Sequence, residues 1–484
     1  MGTRVATLLD AAYERSKAST AITVTATNRW VALIILCLGM LMIILDSTIV
    51  NVALPSIQSD LDFSQASLTW VVNAYLIAFG GLLLLAGRLG DLVGRKRIFL
   101  VGLVVFTVAS LACGLAQSQE MLIAARFIQG VGGAMTSAVV LGMLVSMFPE
   151  PAERARAIGV YSFVASSGAS IGLLAGGTLT QALNWHWIFF MNLPIGVATI
   201  VLAMRLLERD TGLRLENGAD LPGALLIVSS LMLGIYTIIG ASEGSNATVT
   251  LGLGATAVAL LIGFIFREAL ATNPLVPLGI FRSRRLSGAN LVQALMVAGM
   301  FGMFFLGALY LQRVLGFDAI GVGLAFLPVS LGIGVLSLGF SARLITRFGG
   351  QATLLPGLAL IILGLALFQR APVDGNYLKD MLPVMLLLGI GAGLAFPALM
   401  TLAMSEVGPD DSGLASGLVN TTQQVGGALG LAVLATLSTT HTQGLLDLGE
   451  TTAVALTSGY DMAFGIGAGL VTVGIAVAAT VLRH

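Results

Sequence analysis

The sequence predicts an all-α integral membrane protein, and three features of its 484 residues support this fold class. The chain is 57% hydrophobic and only 10% charged, whereas soluble domains carry about 25% charged residues. Apolar segments of about 20 residues recur from one end to the other, and each is long enough to cross a hydrocarbon core of ~30 Å. Basic and acidic residues balance at 24 each and form no basic patch, so no nucleic-acid partner is expected.

Fourteen of these apolar segments are predicted to be membrane-spanning helices. The predicted spans lie at residues 30–54, 67–86, 98–116, 121–147, 157–180, 187–204, 221–240, 251–266, 289–312, 321–342, 352–369, 381–404, 415–437 and 461–481. An even number of spans places both termini on the same side of the membrane.

The distribution of basic residues predicts that both termini face the cytoplasm, where loops are enriched in lysine and arginine. In this orientation twenty of the 24 basic residues lie in inner segments, while the outer loops contain only Arg313, Arg370 and Lys379. The remaining basic residue, Arg126, lies within the fourth span. Residues 1–28 are polar and are therefore expected to form a cytoplasmic N-terminal segment.

A short internal repeat predicts two related halves. The inner segment GRLGDLVGRK aligns with SARLITRFGGQ at a constant offset, which matches Arg88 with Arg343 and Gly94 with Gly349. The alignment equates the second and tenth spans, so the seventh and eighth spans lie outside the symmetry. Secondary transporters use such repeats for alternating access around a central site. We expect an N-terminal six-helix half at 29–205, a linker with two extra helices at 206–287, and a C-terminal six-helix half at 288–484.

Asp46 in the first span and Arg126 in the fourth are the two charged side chains placed deep within apolar segments, while Asp461 is placed at the mouth of the last span. A charge at a helix centre costs about 2.5 to 3.5 kcal/mol, so it normally faces a partner or a cavity. Asp46 lies about 12 Å and Arg126 about 9 Å below the outer ends of their spans. The similar depth predicts an ion pair, which is either functional or only joins two helices.

Other polar residues in the spans are candidates to line a substrate cavity, with interhelical hydrogen bonds as the alternative. In the first span, Asn51 shares one helical face with Ser47. In the fourth span, Gln129 lies one turn after Arg126 and is placed to hold it. The remaining candidates are Asn73 and Tyr75 in the second span and Asn420, Gln423 and Gln424 in the thirteenth.

Five motifs resemble those of the fourteen-span drug:proton antiporters of the major facilitator superfamily. They are LDSTIVNVALP (45–55), GRLGDLVGRKR (87–97), RFIQGVGGA (126–134), WHWIFFMNLPIG (185–196) and GLASGLVNTTQQVGGALG (413–430). The resemblance extends over essentially the whole chain, including the two-span insertion.

This resemblance implies the major facilitator fold, with two six-helix halves plus two inserted central helices. It also implies efflux of lipophilic, cationic or neutral compounds in exchange for protons, across the bacterial cytoplasmic membrane. Asp46 and Arg126 are then expected to form the proton-coupling site. The proton gradient is the implied energy source, so we expect no cofactor and no metal, and a protein that functions as a monomer.

Glycines mark two further predicted features. The segment GRLGDLVGRKR is predicted to form a tight inner turn that acts as a conformational latch, although it is alternatively only a positive inner loop. The latch candidates are Gly87, Arg88, Asp91, Gly94 and Arg95. In the fifth span, close helix packing is predicted at Gly168, Gly172, Gly176 and Gly177. Ala169 and Leu173 stand where the resembled family usually has prolines, and His186 stands where it more often has arginine.

Two alternatives to drug efflux remain. The same fold is compatible with export of a lipid or an endogenous metabolite, or with proton symport. An integral membrane enzyme is disfavoured, because His186, His441 and His484 all lie outside the apolar spans and no nucleophile–base or metal-ligand grouping is visible.

Overall fold

The computed structural model describes residues 26–148, 150–207, 220–242, 247–272, 274–276, 278–405 and 412–482, and every regular element among them is a helix. Each predicted span coincides with a helix, and these helices are labelled in chain order. They are α1 (Ala26–Asp60), α2 (Trp70–Val93), α3 (Arg95–Gly114), α4 (Gln119–Met147), α5 (Pro151–Ala182), α6 (Asn192–Leu206), α7 (Leu221–Ser242), α8 (Ala247–Leu270), α9 (Arg284–Arg313), α10 (Ala319–Val335), α11 (Gly350–Phe368), α12 (Leu382–Met404), α13 (Ser412–Asp447) and α14 (Thr452–Val481).

Short helical segments connect or extend several of these helices. They are Ser67–Thr69 before α2, Trp187–Phe190 before α6, Leu278–Arg282 before α9, Leu336–Phe340 and Ser341–Phe348 after α10, and Tyr377–Met381 before α12. In the described part of the chain, 11 helices are long and apolar enough to cross a membrane by length and composition. The prediction of fourteen spans is compatible with this number, since the three other predicted spans correspond to the helices α5, α10 and α13, of which α10 is a shorter apolar helix.

Side-chain caps start several helices where the sequence changes from polar to apolar. Ser118 accepts a hydrogen bond from Met121 N at 3.2 Å at the start of α4. Ser283 accepts one from Leu286 N at 3.1 Å before α9. Each cap satisfies a backbone N–H that has no partner within its helix, which fixes the point where the helix begins.

Several helices extend beyond their predicted spans; α13, for example, ends at Asp447 and not at residue 437. The first span was predicted to end at residue 54, but α1 continues through Pro55 to Asp60, because neighbouring groups can compensate for a proline within a membrane helix. The last span was predicted to begin at 461, but α14 begins at Thr452. Its early hydroxyl groups bond within the helix, as Thr457 Oγ1 does to Ala453 O at 2.8 Å. Asp461 therefore lies inside a membrane-length helix and is partly buried.

The helices form two six-helix units with the same pattern of neighbours. In the first unit, α1 packs against α5 and α6, and α4 packs against α2 and α3. In the second unit, α9 packs against α13 and α14, and α12 packs against α10 and α11. The units meet along two seams, where α2 contacts α13 and α5 contacts α10. When each helix of the first unit is matched with its counterpart in the second, the two seams are equivalent. The pattern is that of a transporter repeat, while the domain limits given above stay predictions.

The aligned inner turns of the repeat share an unusual backbone conformation. Gly94 has a φ of 111° and Gly349 a φ of 92°. Gly94 directly precedes α3, and Gly349 directly precedes α11. Only glycine adopts this region of φ without steric cost, so the turns of both units require glycine for the same reason.

The inserted helices α7 and α8 form a hairpin on one seam. They pack against each other, and α7 also contacts α2 and α13. The hairpin thus lies along the α2–α13 seam, whereas α8 has almost no buried residues in its apolar stretch. The exposed side chains of α8, which include Leu251, Ile262 and Phe266, are suited to contact with lipid.

Candidate functional site

Asp46 on α1 and Arg126 on α4 form a buried ion pair. Arg126 Nη1 lies 2.6 Å from Asp46 Oδ2, and the two side chains are only 1% and 0% exposed. The structure therefore brings together the two residues that the sequence placed at similar depth. Because burial removes both groups from water, each charge depends on its partner and on nearby hydrogen bonds.

The Asp46 carboxylate accepts hydrogen bonds from side chains of two helices. Oδ1 accepts from Gln129 Nε2 of α4 at 2.7 Å and from Asn192 Nδ2 of α6 at 2.9 Å, and Oδ2 accepts from Arg126. All three donors are N–H groups, and a protonated carboxyl would itself need an acceptor. This arrangement is therefore suited to the ionised form of Asp46.

Arg126 is held in place by contacts on several sides. Its Nε donates to Val71 O of α2 at 2.9 Å, and its Nη1 also donates to Gln129 Oε1 at 2.6 Å. The guanidinium lies 4.4 Å from the centre of the Tyr75 ring, within the range of a cation–π interaction. Asp46, Arg126 and Gln129 thus form a closed triangle of hydrogen bonds.

Helix α3 supplies a second layer of polar groups behind this triangle. Ser110 Oγ accepts from Gln129 Nε2 at 2.8 Å and from Asn192 Nδ2 at 3.4 Å, and it donates to Phe106 O at 2.8 Å. Cys113 Sγ lies 3.6 Å from Gln129 Oε1, the distance of a weak S–H···O hydrogen bond. These contacts orient the two amides that face Asp46.

Several buried polar atoms on α2 and α6, two of the helices that contribute to the site, have no hydrogen-bond partner among the described residues. In the described residues they include both amide atoms of Asn73, the hydroxyl of Tyr75 and Oδ1 of Asn192, all of them buried. Buried polar atoms are normally paired with protein or water, so these groups can accept water or a polar group of a bound molecule. Among the described residues, no group of three or more His, Cys, Asp or Glu side chains is arranged to bind a metal.

The family model described as the Major Facilitator Superfamily matches residues 36–431. The chain belongs to the major facilitator superfamily. Curated relatives include the puromycin resistance protein pur8 of Streptomyces alboniger, 39% identical over 92% of this chain and 89% of that protein. They also include the cephamycin export protein CmcT of Amycolatopsis lactamdurans, 38% identical over 87% of each chain.

The fold is shared with solved transporter structures of low sequence identity. A bacterial homolog of the human lysosomal transporter Spinster, in an inward-facing and occupied conformation, superposes with a TM-score of 0.66 at 14% identity. The match covers 94% of this chain and 97% of that chain. The protein is thus a multi-pass membrane protein of a transporter superfamily.

The polar residues predicted on the first span bond mainly within their own helix. Ser47 Oγ and Thr48 Oγ1 donate to Ile44 O at 2.9 and 3.0 Å, and Asn51 Nδ2 donates to Ser47 O at 3.2 Å. Such back-bonding satisfies a short polar side chain without a neighbouring helix. The structure therefore does not bring Asn51 into the hydrogen-bond network of Asp46.

The candidates on α13 lie along the seam between the two units. Asn420, Gln423 and Gln424 are partly buried, and Gln424 Oε1 is a buried atom without a partner in the described residues. A Cβ added to Gly80 of α2 would lie 2.6 Å from Gln424 Cβ. These residues are therefore separate from the Asp46 network, at a surface between units that must change during alternating access.

The predicted latch segment is mostly helical. α2 continues through Gly87 and Arg88 to Val93, so the inner turn is confined to Gly94. Arg95 Nη1 donates to Gly142 O of α4 at 2.9 Å, which joins two helices of the same unit. The side chain of Asp91 lies outside the described residues, and its predicted contact with Arg95 stays a prediction.

The four glycines of α5 lie where another helix approaches closely. A Cβ on Gly172 would come within 2.1 Å of Thr48 Oγ1, and one on Gly168 within 2.9 Å of Leu41 Cδ1. Gly176 faces α1 in the same way, while a Cβ on Gly177 would lie 2.6 Å from Ala319 O of α10. The side chains of Ala169 and Leu173 lie outside the described residues.

Sequence reasoning missed Asn192, Ser110 and Cys113 as members of the site. Asn192 stands inside the WHWIFFMNLPIG motif, so a polar residue in that apolar segment was an available signal. Ser110 and Cys113 carried no such signal, because isolated small residues are ordinary in membrane helices. His186 lies outside the spans as predicted, stacked 3.8 Å from Trp185, with Nε2 3.8 Å from Asp60 Oδ2.

Hydrogen bonds between the two units occur at the predicted outer ends of the helices. Gln312 Nε2 of α9 donates to Val52 O of α1 at 3.1 Å, and Gln181 Nε2 of α5 donates to Asp318 Oδ2 at 2.9 Å. Arg313 also donates to Gln58. These contacts join the outer ends of the units in this conformation.

Proposed function

We propose that this protein exports lipophilic, cationic or neutral small molecules across the bacterial cytoplasmic membrane in exchange for protons. The observation that carries the proposal is the buried Asp46–Arg126 pair surrounded by unpartnered polar groups. Buried ionisable residues in membrane helices generally mark transport pathways or proton relays. The names of pur8 and CmcT, a resistance protein and an export protein, support antibiotics as cargo.

The chemistry of the proposal begins with proton binding at Asp46. Burial disfavours a charged carboxylate, while the Arg126 guanidinium and the two amides favour it. A proton on Asp46 would remove the charge and force at least one N–H donor to find another acceptor. Because Arg126 and Gln129 lie on α4 while Asn192 lies on α6, protonation changes contacts between helices and not only within one side chain.

Alternating access follows if these changed contacts shift the two units relative to each other. The outer hydrogen bonds Gln312–Val52 and Gln181–Asp318 would have to break before cargo could leave toward the outside. In this scheme one protonation event at Asp46 favours one conformation, and cargo binding near Asn73 and Tyr75 favours the other. Both termini face the cytoplasm, the monomer is sufficient, and the proton gradient is the only energy source.

The proposal is tested by measuring proton release when purified protein binds a cationic cargo. Ethidium, a lipophilic monocation, is added to weakly buffered detergent-solubilised protein containing a pH dye. We expect release from the unmodified protein and from Glu450→Gln, which alters an exposed acid. We expect Asp46→Asn to bind ethidium without release, because the amide cannot titrate.

Cell assays then separate efflux from its alternatives. A panel including puromycin, cephamycin and ethidium is tested in a susceptible host with and without expression. Resistance that disappears in Asp46→Asn supports proton-driven efflux. Persistent proton release from Asp46→Asn would assign the proton to another group. If cargo accumulates in right-side-out cells and not in inverted vesicles, the protein is a symporter and not an exporter.

A further inference from the structure

A second cluster of buried charged groups lies at the predicted cytoplasmic end of the inserted hairpin. Asp220 directly precedes α7, and Arg267 and Glu268 lie in the last turn of α8. Asp220 and Glu268 are only 4% and 3% exposed. Arg267 Nη2 lies 3.1 Å from Asp220 Oδ1, but the arginine side chain is 47% exposed.

The two carboxyl groups face the same small space beside Gly223. A Cβ built on Gly223 would lie 2.6 Å from Asp220 Oδ2 and 2.9 Å from Glu268 Oε1. Any larger residue at this position would therefore collide with both acids. One oxygen of each carboxyl group therefore borders the same small gap beside Gly223.

The hydrogen bonds leave one of these oxygens without a donor. Asp220 Oδ1 accepts from Gly223 N at 3.1 Å and from Arg267 Nε at 3.1 Å. Glu268 Oε2 accepts from Val276 N at 2.8 Å, whereas Glu268 Oε1 is buried without a partner in the described residues. Glu268 Oε1 is the oxygen that faces Asp220 across the gap.

The charges of the cluster do not balance if both acids are ionised. The charged groups that act on Glu268 are Asp220 and Arg267, and the nearby residues Leu85 of α2 and Leu275 after α8 are apolar. Among the described residues, two carboxylates against one guanidinium leave one negative charge in this cluster. Buried groups in this situation take up a proton or a counter-ion.

We propose that Glu268 carries a proton and shares it with Asp220, so that the hairpin holds a proton-binding site separate from Asp46. A proton on Glu268 Oε1 would let this oxygen donate to Asp220 Oδ2, which also accepts from Arg267 Nε at 3.3 Å, and it removes the excess negative charge. The proton comes from the cytoplasmic solution and returns to it. No bond between heavy atoms changes.

Because the site joins three segments, a change in its protonation with cytoplasmic pH alters how these segments are held together. It connects the start of α7, the end of α8 and residues 274–276, next to an apolar cluster of Leu85, Ala224 and Leu275. Since α7 also contacts both units along the α2–α13 seam, loss of the proton would place a negative charge at the base of this contact. The stabilising proton is bound at low pH and is lost as pH rises, so the hairpin loosens under alkaline conditions.

The test is the pH dependence of thermal unfolding of the full-length protein purified in detergent. In Glu268→Gln the side-chain oxygen can still accept from Val276 N, and the amide can donate to Asp220 as the protonated acid would. We expect the Tm of the unmodified protein to fall as pH rises from mildly acidic to alkaline. We expect Glu268→Gln to lose most of that slope and to exceed the unmodified protein by about 2 °C or more at alkaline pH.

Two further measurements keep the test decisive. Glu450→Gln, which changes an exposed acid, should retain the full slope. Infrared spectra should contain a protonated-carboxyl band that disappears in Glu268→Gln. An unchanged Tm slope in Glu268→Gln would overturn the proposal. A second result would also overturn it: a Tm that rises with sodium or potassium at constant ionic strength, together with spectra that show only carboxylates. In that case a metal cation, and not a proton, would fill the gap.

Neither readout depends on transport, so this inference stands or falls separately from the proposed export function. Ethidium-induced proton release should persist in Glu268→Gln, since Asp46 is unaltered. Loss of that release with an unchanged Tm slope would mean that Glu268 takes part in transport and not in the proposed pH response.

Discussion

The two buried acidic sites differ in how their charges are balanced. Asp46 receives three N–H donors, one of them from a guanidinium that is itself 1% exposed. Glu268 receives backbone donors, Val276 N among them, and the arginine of its cluster is half exposed and bound to the other acid. The comparison teaches that burial alone does not determine the charge of a carboxyl group. The number and kind of donors that the packed helices present to it also matter.

The largest expected effect comes from removing the cation of the Asp46–Arg126 pair. Arg126→Ala leaves Asp46 buried without its countercharge, and breaking a buried pair typically costs about 3 to 5 kcal/mol. We expect a strongly lowered Tm and no export. Arg126→Lys should recover little export, because lysine cannot contact Asp46, Gln129 and Val71 O with one planar group. Thermal unfolding and ethidium efflux measure both effects, and full export by Arg126→Ala would contradict the assigned role.

The next effect concerns the contact between α5 and the part of α1 that carries Asp46. Gly172→Leu inserts a side chain where even a Cβ would lie 2.1 Å from Thr48 Oγ1 of α1. Overpacking of this kind costs about 1 to 3 kcal/mol, and we expect export to stop while the protein still reaches the membrane. Gly469→Leu is the matched control, because nothing lies within 4 Å of a Cβ at that position. Equal efflux by the two variants would show that this contact is dispensable.

A smaller effect is expected from the amide that sequence reasoning missed. Asn192→Ala removes one of the two amide donors to Asp46 Oδ1 while Gln129 keeps the other. Loss of a hydrogen bond to a charged group costs about 1.5 to 3 kcal/mol. We expect ethidium efflux to fall, because Asp46 Oδ1 keeps only the Gln129 donor. Efflux measured in cells checks this, and efflux equal to that of the unmodified protein would make Asn192 merely a packing residue.

The smallest effect is expected at the exposed pair on the predicted outer surface. His186 Nε2 lies 3.8 Å from Asp60 Oδ2, and the side chains are 27% and 56% exposed. Exposed ion pairs contribute about 0 to 1 kcal/mol, so His186→Arg should change Tm and export very little at any pH. A strong change in the pH profile of this variant would instead make His186 a pH sensor of the outer face.

Much of the fold could be predicted from the sequence because membrane helices carry their own signal. Backbone groups in a bilayer must be satisfied within the segment, so a long apolar run specifies a helix without knowledge of its neighbours. Helix ends were less predictable, as α1 and α14 show, because Pro55 and the early polar residues of α14 are tolerated within a continuing helix. The equivalence of Gly94 and Gly349 was visible because a positive φ restricts the residue type.

The candidate site was predicted only in part. The cost of a charge in a span pointed to Asp46 and Arg126, and turn spacing pointed to Gln129. Asn51 stays a predicted cavity residue that lies outside the Asp46 network, because nothing in the sequence distinguishes an amide that bonds to its own helix from one that faces a neighbour. Nothing in the sequence singled out Asp220 or Glu268, since their proximity depends on how α7 and α8 pack.

The sequence by itself determined the membrane-spanning character, the helical segments and the two charged residues of the first and fourth spans. These properties depend on composition and local spacing, which act through the transfer of each segment into lipid. Only the tertiary structure decided which polar atoms meet: Asn192 and Ser110 at Asp46, and Glu268 opposite Asp220 beside Gly223. These contacts join residues far apart in the chain, and a hydrogen bond depends on the distance and direction of both partners.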